Sequence, residues 1–207
     1  MKRWFAVVAA FITTLSCYVT SAHAAPELAA QVAARLAHPA VLRGEFEQQR
    51  QVQGFAKPLV SRGSFVVARG QGVLWDTRTP FASQLVLNRT QIRATQDGAA
   101  AFRLDASTEP AVRVINGVLF GLLDGDLQAL AAHFRVDGQA DAKGWQIRLE
   151  PKDAAIARLM SRIELDGDQY VRRIRILDAS GDRSSLVLSA QREDAALQPE
   201  EAKRLEQ

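Results

Sequence analysis

The stretch GSFVVARGQGVLWDTRTPFASQLVL, Gly63–Leu87, decides the fold. It holds short runs of β-branched, aromatic and other apolar residues separated by glycine, proline and polar turn residues, a pattern typical of consecutive β-strands. Apolar side chains occur on both sides of its pleat, and Arg69 stands among them with no catalytic partner nearby in the sequence. The function therefore depends on what these apolar side chains surround.

The same pattern continues along the chain from Gly44 onward. Short apolar segments alternate with turn residues such as Asp97-Gly98 and Asp137-Gly138, and their spacing predicts about eleven strands. In the segment WQIRLE, 145–150, every odd residue is apolar and every even residue is polar, as in a strand with one face on a core and the other in water. We predict a mainly β (α+β) protein with an open, strongly curved antiparallel sheet, an unclosed barrel.

Helical segments interrupt and flank these strands. Leu28, Val32 and Leu36 recur at helical spacing in PELAAQVAARLA, 26–37, which predicts an opening helix. Residues 112–134 and 153–160 predict inserted helices, with Asp153 placed to cap the second one. The polar end of the chain, 193–207, predicts a frayed or surface helix. We expect the opening and inserted helices to cover the apolar face of the sheet.

The N-terminus carries a targeting signal. Lys2 and Arg3 precede a short apolar run that ends in Ala22-His23-Ala24, which predicts a cleavable signal peptide over residues 1–24 and a single exported domain over residues 25–207. Cys17 leaves a second reading open, because a cysteine at the end of such a run is lipidated in bacterial lipoproteins.

Composition excludes several classes of function. The net charge of +3 falls to about +1 without Lys2 and Arg3, and the arginines are dispersed, so we expect no nucleic-acid partner. Cys17 is the only cysteine, so an exported domain that starts at residue 25 has no disulfide and no thiolate metal site.

Residues that would support catalysis are sparse. His38 and His133 lack a nucleophile or a metal-ligand partner at a known spacing. Turn chemistry accounts for the aspartates that flank glycines, at positions 124 and 126 and at positions 166 and 168. We therefore expect no catalytic residue, no metal and no cofactor.

The apolar surplus leaves two interpretations open. Helices that lie on a curved sheet either fill its interior with side chains or leave a cavity between helices and sheet that accepts acyl chains. The residue pattern alone does not separate a filled core from such a cavity.

The residues of this region resemble those of a known family. GEFEQQ at 44–49, RGSF at 62–65, Arg69 with Trp75 six residues later, Pro80 and QLVL at 84–87 together resemble the periplasmic outer-membrane lipoprotein carrier family, LolA and its relatives. GDRSSLVLSAQ, 181–191, is similar to the last-strand element of that family, and the order of elements agrees over nearly all of residues 25–207. Gly70 stands where family members usually have a proline after the arginine.

The resemblance implies a fold and a binding site. Its members have an open, curved antiparallel sheet with lid helices over an apolar cavity, and an arginine that hydrogen-bonds the lid backbone and holds the empty form closed. By this resemblance Arg69 is a latch, although an arginine lying on the surface with its stem along the sheet is the alternative. The expected lining residues are Phe65, Val67, Val73, Trp75, Leu85, Leu87, Leu119, Phe120, Leu122 and Leu123.

The function that the resemblance implies is that of a carrier without enzymatic activity. We expect a monomer in the periplasm that takes acyl chains of a lipoprotein or another lipid from an inner-membrane release complex and delivers them to an outer-membrane acceptor. A carrier dedicated to a lipid or polyene-lipid pathway is one alternative, and an outer-membrane-anchored receptor or envelope-stress sensor on the same scaffold is another. A hydrolase that uses Ser184 or His133 is the third.

Overall fold

The computed structural model describes residues 25–109, residue 120 and residues 127–206. In this part of the chain eleven strands and four short helices follow one another. The strands are β1 Val41–Gln51, β2 Leu59–Ala68, β3 Gly72–Thr79, β4 Ser83–Asn88, β5 Gln91–Gln96, β6 Ala99–Asp105, β7 Phe134–Asp141, β8 Gly144–Pro151, β9 Met160–Gly167, β10 Val171–Asp178 and β11 Arg183–Asp194. The helices are α1 Ala25–Ala33, α2 Leu127–His133, α3 Ala154–Ala157 and α4 Pro199–Glu206.

All eleven strands belong to one antiparallel sheet. Their spatial order is β6-β5-β4-β3-β2-β1-β11-β10-β9-β8-β7, so the first and last strands of the chain pair at the centre. The two edges are β6 and β7, which flank the helical insertion in sequence and do not pair with each other. This confirms the predicted fold class, an open and strongly curved sheet that is not closed into a barrel.

Strand register divides the side chains between two faces. Across β11, β10, β9 and β8 the aligned residues are Leu186, Ile174, Leu165 and Ile147, and helices α1 and α2 pack on this side. We call it the inner face and the opposite side the outer face. On the outer face the next aligned residues are charged, as in Arg175 of β10 opposite Glu164 of β9, so one face is apolar and the other is wet.

Two cross-strand pairs of glycine and phenylalanine explain the opening stretch. Gly44 of β1 faces Phe65 of β2, and Phe46 faces Gly63. A Cβ atom on Gly44 would lie 2.5 Å from the Phe65 ring, and one on Gly63 would lie 2.8 Å from the Phe46 ring. Each ring therefore lies over the glycine opposite it, a close approach that any side chain at the glycine would block. Trp75 of β3 stacks on Phe46 with ring centroids 3.9 Å apart, so the three rings form one aromatic layer on the inner face.

Helices α1 and α2 cover the half of the inner face formed by β7 to β10. Leu28, Val32 and Leu36 are all buried there, as their helical spacing indicates. The predicted opening helix is confirmed from Ala25 to Ala33, and turns continue it to Leu36 ahead of Pro39. The side chain of Arg35 donates two hydrogen bonds to the carbonyl of Asp141, at 3.2 and 3.0 Å, and ties this helix to the β7–β8 turn.

The C-terminal helix lies on the outer face, which confirms the surface helix among the two predicted alternatives and not the frayed end. Leu205 of α4 is buried against Leu74 and its neighbours on β2 to β4. Arg43, itself buried, donates hydrogen bonds to Glu201 of this helix and to Asp194, while Arg204 pairs with Asp76. The few apolar residues of a polar segment hid this docking from sequence reasoning, because its ion partners come from distant strands.

Asp153 does not cap the helix that follows it. It occupies the N-cap position of α3, but its side chain makes no capping hydrogen bond. Its carboxylate instead pairs with Nδ1 of His133 at 2.7 Å, at the end of α2. Asp153 therefore bonds to His133, which is distant in sequence, instead of to the backbone at the start of its own helix.

Several sequence predictions fall outside the described residues. These are the signal peptide over residues 1–24, Cys17 within it, and the insertion residues Leu119, Leu122 and Leu123. Within the described ranges, no helix combines the length and the apolar character needed to cross a bilayer.

The glycine opposite Phe46 generates a stability prediction. In Gly63→Ala the new Cβ would lie 1.9 Å from the backbone oxygen of Asp76, so the strand must shift. We expect the free energy of unfolding to fall by about 2–3 kcal/mol in urea titrations. Ser61→Ala, two residues earlier on the same face, is the control and should change it by less than about 0.5 kcal/mol. Equal stabilities of the two variants would contradict the packing argument.

The docking of α4 generates a pH prediction. Burial of Glu201 favours its neutral form, but hydrogen bonds from Arg43 and from the backbone N–H of Gln198 outweigh burial and lower the pKa of Glu201 below 4.5. The native state therefore binds this proton less tightly than the unfolded state, so the stabilisation is complete above pH 4.5 and is lost as the pH falls through the lowered value.

We expect the free energy of unfolding to decrease as the pH falls from about 5 to about 3, and to decrease less steeply in Glu201→Gln. At pH 7 that variant should be less stable by about 1–2 kcal/mol, since a charge-assisted hydrogen bond is weakened. Glu200→Gln, an exposed neighbour in the same helix, should keep the wild-type pH profile. Parallel profiles for wild type and Glu201→Gln would refute the role of this carboxylate.

Candidate functional site

The inner face has two covered flanks and a central region between them. Helices α1 and α2 bury the flank of β7 to β10, and Phe120 of the insertion packs on the flank of β3 to β5. Between these flanks lie the inner-face apolar residues of β1, β3 and β11. We call this set the central strip, formed by Leu42, Phe46, Trp75, Leu186 and Leu188.

The central strip is apolar but incompletely covered. Phe46 is buried beneath Trp75, whereas the other four side chains keep part of their surface accessible. Leu188 lies directly opposite Phe46, and Leu186 lies opposite Gln48, so the strip continues from β1 into β11. Partly exposed leucines beside an aromatic layer form a surface on which an apolar ligand gains free energy by excluding water.

Seven of the residues that the sequence predicts as lining lie together on the inner face. Phe65 lies opposite Trp75, and both join the aromatic layer. The rest belong to the cluster under the insertion: Val67, Val73, Leu85, Leu87 and Phe120, joined by Ile92 and Ala106. Whether these residues contact a ligand remains a prediction.

Arg69 lies at the end of the sheet, one residue beyond β2. Its side chain is exposed, and Nη1 donates to the carbonyl of His38 at 3.4 Å. Its backbone N–H donates to the carbonyl of Ala40 at 3.0 Å, so the turn after β2 is tied to the connection between α1 and β1. Gly70 has a φ of +73°, which the proline usual in the family cannot adopt. The latch role of Arg69 stays a prediction.

Arg89 contacts the insertion and was missed by the sequence analysis. Its guanidinium lies over the ring of Phe120, 4.7 Å from the ring centroid. It belongs to the β4–β5 turn, at the same end of the sheet as Arg69. An arginine stacked on an aromatic ring at an exposed site contributes about 0.5–1 kcal/mol, and nothing in the local sequence predicts the pairing.

Sequence reasoning also missed Phe46 and the two leucines of β11 as parts of the candidate site. Phe46 belongs to the GEFEQQ segment, where the glycine two residues earlier was the available signal. Leu186 and Leu188 alternate with polar residues, but only the pairing of β11 with β1 places them at the centre of the sheet.

The outer face differs electrostatically from the inner one. Arg175 pairs with Glu164 and with Asp166 at 3.2 Å each, and Arg148 lies 3.6 Å from Glu164. Such half-exposed pairs contribute little to stability, but they keep this face hydrated. The inner face is therefore the less polar of the two surfaces.

The described residues form no catalytic arrangement that we recognise. Ser184 lines a groove of about 470 Å³ that also includes Arg162 and Arg175, and His133 is not among its lining residues. His133 pairs with Asp153 at the other end of α2 from the insertion. Asp168 accepts a hydrogen bond from the backbone N–H of Tyr170, as expected for a turn residue. In the described part of the chain no group of three potential ligands is placed to hold a metal ion.

Comparisons with known proteins find several solved structures that are similar to this chain at low identity. A LolA superfamily protein from Nitrosomonas europaea shares 11% identity over 85% of this chain and 96% of its own, with a TM-score of 0.48. A DUF1329 family protein from Desulfovibrio piger shares 13% identity over 86% of this chain and 95% of its own, with a TM-score of 0.49. A chain in the MucA/MucB complex of Pseudomonas aeruginosa shares 15% identity over 86% of this chain and 60% of its own, with a TM-score of 0.41.

A family model matches the chain itself over nearly its whole length. No curated protein matches the chain in a sequence search. The matching model, described as "Outer membrane lipoprotein carrier protein LolA-like", covers residues 21–206, which includes every strand and helix described above. The protein therefore belongs to the LolA-like family of outer membrane lipoprotein carrier proteins.

Proposed function

We propose that the protein is a periplasmic carrier that binds acyl chains of a lipoprotein, or of another lipidated molecule, on its inner face and moves them from the inner to the outer membrane. The observation that carries the proposal is the central strip, an apolar surface between two covered flanks. Membership of a LolA-like family supports a binding role rather than an enzymatic one.

The energetics of the central strip suit a hydrocarbon ligand. Each methylene group that leaves water contributes about 0.8 kcal/mol, so an acyl chain gains binding free energy without any polar contact. The strip offers leucine side chains and the faces of aromatic rings, and no charged side chain belongs to it. Selection therefore rests on hydrophobicity, which fits cargo defined by its acyl chains.

The insertion is the part that would admit and release cargo. Ala106, where it begins, lies in the cluster under Phe120, whereas Leu130 of α2 lies in the cluster on the opposite flank. The segment between them therefore connects the two flanks of the central strip. We propose that the insertion serves as the lid that the resemblance implies.

Arg69 would hold that lid closed when no cargo is bound. It lies at the end of the sheet where β6 leads into the insertion. Hydrogen bonds from a guanidinium to backbone carbonyls favour the closed form by about 1.5–3 kcal/mol, which opposes cargo binding and makes release possible. By the same resemblance, the partners are an inner-membrane release complex and an outer-membrane acceptor.

Mass spectrometry of lipid extracted from protein purified from the periplasm tests the main proposal. We expect an acylated molecule in stoichiometric amount. Protein that carries no amphiphile and binds no apolar dye would contradict the proposal and indicate a filled interior. Labelling with a lipid precursor distinguishes a further case, since acylation of Cys17 would favour the membrane-anchored receptor instead.

Adjacent residues on β11 provide a matched pair of variants. Leu188 belongs to the central strip, whereas Val187 lies on the outer face. Leu188→Asp should weaken binding of a fluorescent fatty acid by about tenfold or more, because a carboxylate would have to be buried with the chain. Val187→Asp adds the same charge on the hydrated side and should leave the dissociation constant unchanged. Equal effects of the two substitutions would argue against the inner face as the site.

Arg69→Leu tests the latch. Loss of the guanidinium should favour the open, cargo-filled form and slow transfer of bound lipid to an acceptor by about tenfold. Arg78→Leu is the control, because Arg78 is equally exposed and pairs only with Glu45 among the described residues. Transfer at the wild-type rate in Arg69→Leu would refute the latch role.

A further inference from the structure

Strand register places five connections at one end of the sheet, which we call the rim. They are residues 52–58, 80–82, 97–98, 152–159 and 179–182. The pairing of Gln51 with Arg183, and of Asp178 with Met160, shows that neighbouring strands begin or end there together. Arg69 and Arg89 lie at the opposite end, so the rim is remote from the proposed latch.

The rim, together with Leu59 beside it at the start of β2, carries four of the seven large apolar side chains that the described residues expose. Phe81 is 69% exposed, Phe55 61%, Leu59 55% and Leu159 45%. The turns at the opposite end, after β2, β4, β7 and β9, expose no large apolar residue in the described part of the chain. Exposed apolar residues gathered at one end of a molecule mark a contact surface rather than scatter.

Hydrogen bonds join the connections that carry these exposed apolar side chains. The buried Asp182 accepts hydrogen bonds from the backbone N–H of Gln53 at 3.0 Å and from Arg50 at 3.1 Å, and these bonds lower its pKa. On the other side of the same turn, the N–H of Ala179 donates to the carbonyl of Leu159 at 3.2 Å. The loop of Phe55 and the segment of Leu159 are thus held in fixed positions along the rim.

Positive charge accompanies the apolar tips. Lys57, Arg158 and Arg183 are exposed at the rim and form no ion pair within the described residues. Asp178, at the end of β10, and Asp182 share the single cation Arg50, and Asp153 hydrogen-bonds His133. Asp97 is the remaining acid at the rim. The rim is therefore close to neutral as a whole, but Lys57 and Arg158 stand directly beside the exposed Phe55 and Leu159.

The spacing of these features fits a lipid surface better than a protein. Strands lie about 4.8 Å apart, so the turns of Phe81 and Phe55 are about 10 Å from each other, and Leu159 is several strands further along. A protein interface needs a continuous complementary patch of about 800 Å² per partner. A bilayer accepts separate apolar tips among its headgroups and attracts nearby lysines and arginines to anionic lipids.

We propose that the rim docks onto the surface of an anionic lipid bilayer. Phe55 and Phe81 insert among the headgroups, and Lys57 and Arg158 lie against lipid phosphates. This contact is separate from cargo binding on the inner face, and it would hold the carrier against the membrane while lipid is exchanged.

Flotation with vesicles tests the contact, using protein exported and processed by its host so that residues 1–24 are treated as in the cell. Vesicles of phosphatidylethanolamine and phosphatidylglycerol should bind the protein, and vesicles of phosphatidylcholine should bind it at least about tenfold more weakly. Binding to the anionic vesicles should weaken as salt is raised, because the lysine and arginine contacts are screened.

The variants separate the rim from the rest of the surface. Phe55→Ser with Phe81→Ser should reduce vesicle binding by about tenfold or more, and Lys57→Gln with Arg158→Gln by a similar factor. Val187→Ser, which removes an exposed apolar residue from the outer face, is the control and should bind as the wild type does. All of these side chains are exposed, so unfolding midpoints should stay unchanged and confirm that each variant folds.

Two results would overturn the proposal. One is an absence of flotation with anionic vesicles at low salt, which would assign the rim to a protein partner. The other is flotation that none of the rim variants reduces. Fatty-acid binding, measured in parallel on the same variants, should be unaffected, so failure of the rim contact is distinguishable from failure of the carrier function.

Discussion

The contact of two phenylalanine rings with the glycines opposite them is the constraint on which the inner face depends. Phe65 lies over Gly44 and Phe46 over Gly63, and Trp75 stacks on Phe46. Side chains at the two glycines would lift these rings off the backbone, and with them the Trp75 ring that stacks on Phe46. The layer also joins β1, β2 and β3 near the centre of the sheet. The apolar floor of the proposed binding surface is therefore built from the same contacts that align these strands.

The sheet separates two kinds of chemistry by its register. Adjacent residues of β11 lie on opposite faces: Val187 is on the charged outer face and Leu188 is in the central strip. The outer face is closed over β2 to β4 by α4, through the buried Arg43 and its partners Glu201 and Asp194. Because successive side chains of a strand point to opposite faces, one sheet can present an apolar surface on one side and a hydrated surface on the other.

The two ends of the sheet also differ. At one end Arg89 stacks on Phe120 of the insertion, and Arg69 bonds to the carbonyl of His38. At the other end the exposed phenylalanines and unpaired cations of the rim project from turns braced by Asp182. In the proposed carrier, the lid contact and the membrane contact lie at opposite ends of the sheet, since successive turns of an antiparallel sheet alternate between its ends.

The sequence by itself determined the fold class, the strand count and the parity of most candidate residues, because alternation with period two and turn residues are local signals. It placed Leu85 and Leu87 on one face of their strand, where the structure finds them. Only the tertiary structure decided which strands are central, that α4 docks on the outer face through Arg43, and that Asp153 turns to His133 instead of capping its helix. These outcomes depend on partners between 20 and 158 residues away, and a local pattern carries no information about which distant charge will meet a given side chain.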